Sequence, residues 1–247
     1  MFFQRFPKTQ YDFYENGKTT TIPDLFRSVS TTDKRFVSAT TYQDYNIQEE
    51  RPDQLSFKLY GTPNFYWTFF IINDKLKGGM NSWPFSYNDM QDYIDTKYPN
   101  YTIRLYRENG DDINYNDITS KWLVGSVLTG VTSGATAIIT KRDTSINQLT
   151  FEYNSDLRFS TNEIINGVGS QTIVDKYQIR TEKNSIHHFV DGEDKLVGNF
   201  ENFEFANGIV TNRDNENNIN DSKASIRVIR SQFVEDFAII YRRLINE

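Results

Sequence analysis

Between Arg51 and Asp74 the apolar positions change spacing twice, and that change predicts two helices meeting at a tight corner. Pro52 suits the first turn of a helix, where its missing N–H would have no partner, and Leu55 and Leu59 fall on one face at i and i+4. Gly61 can take the left-handed conformation that ends a helix, Thr62 offers a hydroxyl as N-cap, and Pro63 sets φ for a second start. The second helix, Asn64 to about Ile72, carries Phe65, Tyr66, Trp67, Phe69, Phe70, Ile71 and Ile72. These are too many for one stripe, so this helix is expected to be covered on several sides. Asn73 and Asp74 close it.

The flanking patterns are of other kinds. Tyr11–Tyr14 and Lys18–Ile22 surround Glu15-Asn16-Gly17, where Asn-Gly predicts a tight hairpin turn. Ile22-Pro23-Asp24 starts a short helical turn, followed by polar Ser28–Lys34, and Val37–Ile47 alternates as a strand would. An amphipathic helix is predicted from Ser86 through Met90, Tyr93 and Ile94, ending before Pro99. Thr102–Tyr106 then reads as a strand that could complete a sheet under the first two helices.

From Asp111 onward the chain turns Gly-, Thr- and β-branched-rich, which favours strands joined by tight turns. The stretch around Gly130 is echoed around Gly167, suggesting an internal duplication with Leu149–Tyr153 as the strand between copies. Near the C-terminus Ile226 and Val228 alternate with Arg227. Ser231 then caps a helix in which Phe233, Phe237, Ile240 and Leu244 recur at i, i+4, i+7 and i+11. That helix has Glu235 and Asp236 at its start and Arg242 and Arg243 at its end, both favourable to its dipole. Its apolar stripe suits either the chain's own core or a partner.

The segment RPDQLSFKLYGTPNFYWTFFIIND resembles a LysM module, a βααβ unit whose helices join at a "YG…P" corner and whose second helix closes with an Asn. Together with IPDLFR at Ile22–Arg27 and IRVIRSQFVEDFAIIYRRL near the C-terminus, it is similar to the LysM-bearing baseplate wedge subunit of T-even-type contractile-tailed bacteriophages. The resemblance covers roughly the first hundred residues and the last thirty. It implies a structural role in the tail baseplate of the virion, assembled in the host cytoplasm. Implied partners are other wedge proteins and inner tube-proximal or sheath-initiating tail proteins, with multiple copies in a ring. The segment residues carried over are Arg51, Pro52, Leu55, Tyr60, Gly61, Pro63, Phe65, Tyr66, Trp67, Asn73 and Asp74, and the C-terminal contacts are Phe233, Phe237, Ile240 and Leu244.

Composition narrows the alternatives. The 247 residues carry 19 Phe and 15 Tyr, groups that fill cores and protein interfaces. Net charge is -6, and no block of Lys and Arg stands clear of acids, so neither a nucleic-acid groove nor an anionic membrane surface is expected. Without cysteine there is no disulfide, thiolate nucleophile or thiolate metal site. MFFQRFPKTQ lacks the apolar stretch of a secretion signal. No phosphate loop, GxSxG elbow or HExxH occurs, so no enzyme activity, cofactor or small-molecule substrate is expected. His187 and His188 are adjacent, and neighbours on a strand point to opposite faces, so no shared metal is expected. Asp214–Asp221 is rich in oxygen ligands but lacks the glycine and closing glutamate of an EF-hand, and reads as a solvated loop.

The expectation is therefore an α+β chain: an N-terminal arm (1–36), a LysM-like βααβ module with a flanking helix (37–110), an inserted small all-β barrel or sandwich (111–184), and a C-terminal strand plus amphipathic helix (185–247). The alternative function is ordinary LysM binding of N-acetylglucosamine polymers in peptidoglycan or chitin. A single LysM copy without a secretion signal favours the structural role.

Overall fold

The computed structural model describes residues 7–24, 41–105, 122–146, 148–167, 172–173, 177–193, 195–197 and 208–246. The chain is α+β and divides into two compact units, Met1–Asn88 with Ile219–Glu247, and Asp89–Asn218.

The first unit begins with a hairpin, β1 (Lys8–Tyr11) and β2 (Thr20–Pro23), paired so that Lys8 faces Pro23. The expected tight Asn-Gly turn is replaced by a longer loop, because side chains supply its hydrogen bonds. Asp12 accepts from the Tyr14 and Gly17 N–H groups at 3.1 and 2.6 Å, and Asn16 Oδ1 accepts from the Lys18 N–H at 3.0 Å. The helical turn expected to start at Ile22-Pro23-Asp24 is not seen there, since Ile22 and Pro23 belong to β2 and pair with Thr9 and Lys8; its remainder from residue 25, all of Ser28–Lys34 and the start of the Val37–Ile47 strand lie outside the described residues. The described strand there is β3 (Tyr42–Asn46).

Helix α1 (Pro52–Tyr60) opens with Gln54 Oε1 accepting from the Arg51 N–H at 3.1 Å. It closes at Gly61, whose φ of 72° lets its N–H return to the Phe57 carbonyl at 2.9 Å. At the corner the Ser56 hydroxyl donates to the Thr62 carbonyl (2.8 Å) and accepts from the Phe65 N–H (3.2 Å). Pro63–Phe65 forms a single 3-10 turn, and α2 (Trp67–Ile72) follows it. The second helix is thus shorter than expected, its first turn held in the tighter form by Pro63 and the Ser56 hydroxyl. Two further 3-10 turns, Asp74–Leu76 and Gly79–Ser82, lead to Trp83, and α3 (Tyr87–Lys97) buries Met90 and Ile94.

The second unit holds one seven-stranded antiparallel sheet. Its strands are β4 (Tyr101–Leu105), β5 (Val127–Gly130), β6 (Thr136–Asp143), β7 (Gln148–Tyr153), β8 (Ile165–Asn166), β9 (Thr172–Ile173) and β10 (Tyr177–Thr181). Their order is β10-β4-β7-β6-β5-β8-β9. Two expectations are corrected here. The Thr102–Tyr106 strand does not pair with β3; it appears as β4, between β7 and β10, with Ile103 opposite both Leu149 and Ile179. The Gly130 and Gly167 segments are not two copies around a central strand, since β5 and β8 pair directly, Gly130 opposite Ile165, while β7 lies on the other side of β6. The sheet curls: the Tyr177 hydroxyl on β10 donates to the Glu163 carbonyl at 2.7 Å, just before β8. Ile103, Trp122, Leu128, Ile139, Leu149, Phe151 and Ile165 fill its core.

A buried carboxylate ties this curl together. Glu163 Oε1 accepts from the Ser133 hydroxyl (2.7 Å) and Ser160 N–H (2.6 Å), while Oε2 accepts from the Thr132 and Ser133 N–H groups (2.9 and 2.8 Å). Burial opposes its charge, but these bonds outweigh burial and hold the carboxyl below its ordinary value. A Cβ on Gly130 would overlap both Ser133 Oγ and the Glu163 carboxylate. Neither group can retreat without losing its partners, so Gly130→Ala is expected to cost about 1–3 kcal/mol, read from amide hydrogen exchange of β5 and β6. Unchanged protection there would show that the cage is not rigid.

A smaller antiparallel sheet follows, with β11 (Ile186–Val190) between β12 (Leu196–Val197) and β13 (Gly208–Thr211). Next comes α4 (Asn212–Ala224), where Asp214–Asp221 had been expected as a loop. Thr211 and Asp214 account for the difference with reciprocal bonds: the Asp214 N–H donates to Thr211 Oγ1 and the Thr211 N–H to Asp214 Oδ2, both at 3.2 Å. Buried Glu216 then fixes the helix by accepting from Lys97 Nζ and the Tyr98 hydroxyl, each at 2.8 Å.

The chain finally returns to the first unit. β14 (Ser225–Ile229) pairs antiparallel with β3, Ile226 opposite Tyr45 and Val228 opposite Gln43. A 3-10 turn, Ser231–Phe233, leads into α5 (Val234–Asn246). The partner strand of β3 thus comes from the far end of the chain.

Candidate interaction site

The segment Arg51–Asp74 is built around one side chain. Asn73 is buried at the end of α2, where Nδ2 donates to the carbonyls of Phe69 (2.8 Å) and Arg227 (2.9 Å) and Oδ1 accepts from the Arg227 N–H (2.8 Å). One amide therefore closes its own helix and reads both backbone groups of a β14 residue. The Asn amide carries two donor hydrogens and an acceptor on one planar head, which is what two carbonyls and one N–H require here.

Apolar groups cover α2 on two sides. Leu55, Phe69, Leu76, Trp83, Ile226 and Val228 form one cluster. Trp67 faces a second, with ring centroids 6.2 Å from Phe237 and 5.3 Å from Tyr241. Tyr60 bridges the two, stacked at 5.9 Å on Phe69 and edge-on at 6.0 Å to Phe65. Burial pushes its hydroxyl up to about 12, against the opposing pull of Thr68 and the Ile229 backbone.

The residues picked out from sequence fall into two groups. Pro52, Leu55, Trp67, Asn73 and Phe237 are buried, and Tyr60, Phe65, Tyr66, Phe233, Ile240 and Leu244 are half-buried within the fold. Arg51, Gly61, Pro63 and Asp74 are exposed; Arg51 Nε lies 3.3 Å from Asp53 and Asp74 lies 2.6 Å from Lys77 Nζ. The fully buried stripe of α5 is Val234, Phe237, Ala238, Tyr241 and Ile245, turned slightly from the predicted one and packed on Trp67 and Ile229. What remains outward are residues the pattern did not single out. Phe57 on α1 and Ile239 on α5 are each 63% exposed, and Tyr11, Phe13 and Tyr14 of the hairpin loop region are exposed as well.

A charged cluster missed in sequence braces the entry to α1. Glu50 Oε1 accepts from Lys58 Nζ at 2.7 Å and from the Tyr45 hydroxyl at 2.9 Å, Oε2 accepts from the Gln48 N–H at 2.6 Å, and the Glu50 carbonyl accepts from Trp83 Nε1 at 2.9 Å. Burial works against the charge, yet the bonds from Lys58, Gln48 and Tyr45 bring the carboxyl down to about 2 from its ordinary 4.5. A depressed folded-state value means that the stabilisation is fully present above about 4.5 and is lost as pH falls through about 2. The difference in thermal midpoint between the wild type and Glu50→Gln should therefore shrink between about pH 7 and about pH 2. A pH-independent difference would contradict the assignment.

The two histidines also depart from expectation. A β-bulge lies between Ile186 and His188, so His187 is an extra residue opposite β13. It turns the two imidazoles toward each other, with Nδ1 to Nδ1 at 2.8 Å, rather than to opposite faces. Among the described residues no group of three or more His, Cys, Asp or Glu could hold a metal ion, and no helix is long and apolar enough to cross a membrane.

These features describe a module that holds aromatic and charged groups outward on a rigid helical corner. Residues 1–119 match the family model of base plate wedge protein 53. The match covers a little less than half of the chain, takes in the hairpin, β3, α1 to α3 and β4, and ends before the other six strands of the curled sheet and before β14 and α5. No curated protein matches the chain. Over those 119 residues the chain is similar to a phage base plate wedge protein.

Proposed function

We propose that this chain is a structural subunit of a tail baseplate wedge, joining neighbouring wedge proteins by protein–protein contacts during contractile tail assembly. The observation that carries this reading is the family match over residues 1–119, which contains the helical corner and the exposed aromatic hairpin loop. In this reading β3, α1, α2 and the distant β14 make a LysM-like βααβ unit of the T-even type, and Asn73 plays the closing role that such a unit assigns to its Asn. The arm (1–36), module (37–110), inserted domain (111–184) and C-terminal segment (185–247) are its working parts. Phe57, Arg51 and Ile239 are the outward groups on α1, its entry and α5 available to partners. Several copies form a ring with inner tube-proximal or sheath-initiating proteins, assembled in the host cytoplasm.

The competing outcome is LysM-type binding of peptidoglycan or chitin. A phage carrying a nonsense mutation in this chain, grown in a non-suppressing host, separates the two readings. The wedge role predicts incomplete baseplates and no contracted or extended tails, rescued by supplying the chain. Normal tails, with the purified chain retained on insoluble peptidoglycan, would overturn it.

A further inference from the structure

We propose that Asn16 is a site of spontaneous covalent modification, in which the Gly17 nitrogen attacks the Asn16 side-chain amide and the hairpin loop directs the reaction. The bond formed is Gly17 N to Asn16 Cγ, the bond broken is Cγ–Nδ2, and ammonia leaves. Water then opens the resulting five-membered imide to aspartate or isoaspartate, so the net change is an amide NH2 exchanged for OH, with water as the one reactant added. The loop holds each reacting group. Gly17 donates its N–H to Asp12 Oδ2 at 2.6 Å, and the Tyr14 N–H fixes the other carboxylate oxygen at 3.1 Å. An aspartate is ionised at neutral pH, so Asp12 is a proton acceptor already seated on the nucleophile. A peptide N–H lies in the plane of its peptide, so the bond to Asp12 leaves both faces of the Gly17 nitrogen open to Cγ.

The electrophile is oriented as well. Asn16 Oδ1 accepts from the Lys18 N–H at 3.0 Å, a donor placed where negative charge develops as the amide carbon becomes tetrahedral. Asn16 Nδ2 has no hydrogen-bond partner among the described residues, and Asn16 and Gly17 are both exposed, so ammonia can leave and water can enter. Gly17 has a φ of 78° and no side chain to crowd the approach. A second Asn-Gly step, Asn166-Gly167, supplies the contrast. Asn166 is paired with Thr129 of β5 on one side and Thr172 of β9 on the other. Its backbone is held extended from both edges, which keeps the following nitrogen away from its own side chain. At Asn16 the isoaspartate product would add a methylene to the main chain of the loop that exposes Phe13 and Tyr14.

The test is to incubate purified full-length protein at neutral pH and physiological temperature, then digest it and read each site by fragmentation mass spectrometry. Residue 16 should become a mixture of aspartate and isoaspartate while Asn166 stays intact. Isoaspartate marks the imide, since direct hydrolysis of the side chain gives aspartate alone. In guanidinium, where neither loop nor strand remains, both asparagines should convert at similar rates. Asp12→Ala should slow conversion of the folded chain at Asn16 by about tenfold or more, as loss of a positioned proton acceptor requires. Asn16 left intact, conversion to aspartate alone, or equal conversion of Asn166 in the folded chain would overturn the proposal. So would a contrast between the two sites that persists unchanged in guanidinium, or an Asp12→Ala rate at or above that of the wild type.

Discussion

Trp67→Ala is expected to destabilise the first unit by about 3–5 kcal/mol, the range for truncating a buried aromatic. Trp67 is 4% exposed, and its ring contacts Phe237 and Tyr241 on a helix that arrives from the other end of the chain. Removing the indole opens a cavity at the seam between α2 and α5. The surrounding groups cannot collapse into it easily, because Phe237 and Tyr241 are themselves stacked at 6.2 Å. Two units make global unfolding a poor two-state measure, so amide hydrogen exchange along α5 is the appropriate readout. Protection there should fall with the stability of the unit, while β6 and β7 in the second unit keep theirs. A loss below about 1 kcal/mol would contradict the assignment of Trp67 to the core.

Asn73→Ala is expected to cost about 2–4 kcal/mol by the same readout. Three hydrogen bonds disappear, and the Arg227 N–H and the carbonyls of Phe69 and Arg227 lose a partner in a place where water enters poorly. The effect should be largest on β14, since the amide addresses its backbone directly. Protection of β14 equal to the wild type would show that β3 alone holds that strand.

Where structure follows from short-range signals, the sequence was readable. The α1–α2 corner depends on Pro52, Gly61, Thr62 and Pro63, each within a few residues of the bonds it makes. The alternation at Ile226 and Val228 likewise announced a strand. Its partner could not be read, because nothing local tells β14 to pair with β3 and not with Thr102–Tyr106, an equally alternating candidate. Asp214–Asp221 hid a helix behind residues of poor helix propensity, although Thr211 and Asp214 at capping-box spacing were a visible signal. The bulge that joins His187 to His188 and the cage around Glu163 are tertiary devices with no local pattern. The outward positions were hardest to find: periodicity marks what is buried, and Phe57 and Ile239 are apolar residues that break the stripe.

The central claim is that the chain is a built-in part of the tail baseplate. Quantitative mass spectrometry of purified particles and isolated tails tests it most directly. The wedge reading predicts this chain at a constant ratio to the other wedge proteins in both preparations. Its absence from particles, together with retention of the purified chain on peptidoglycan, would contradict the claim and return the Arg51–Asp74 segment to glycan binding.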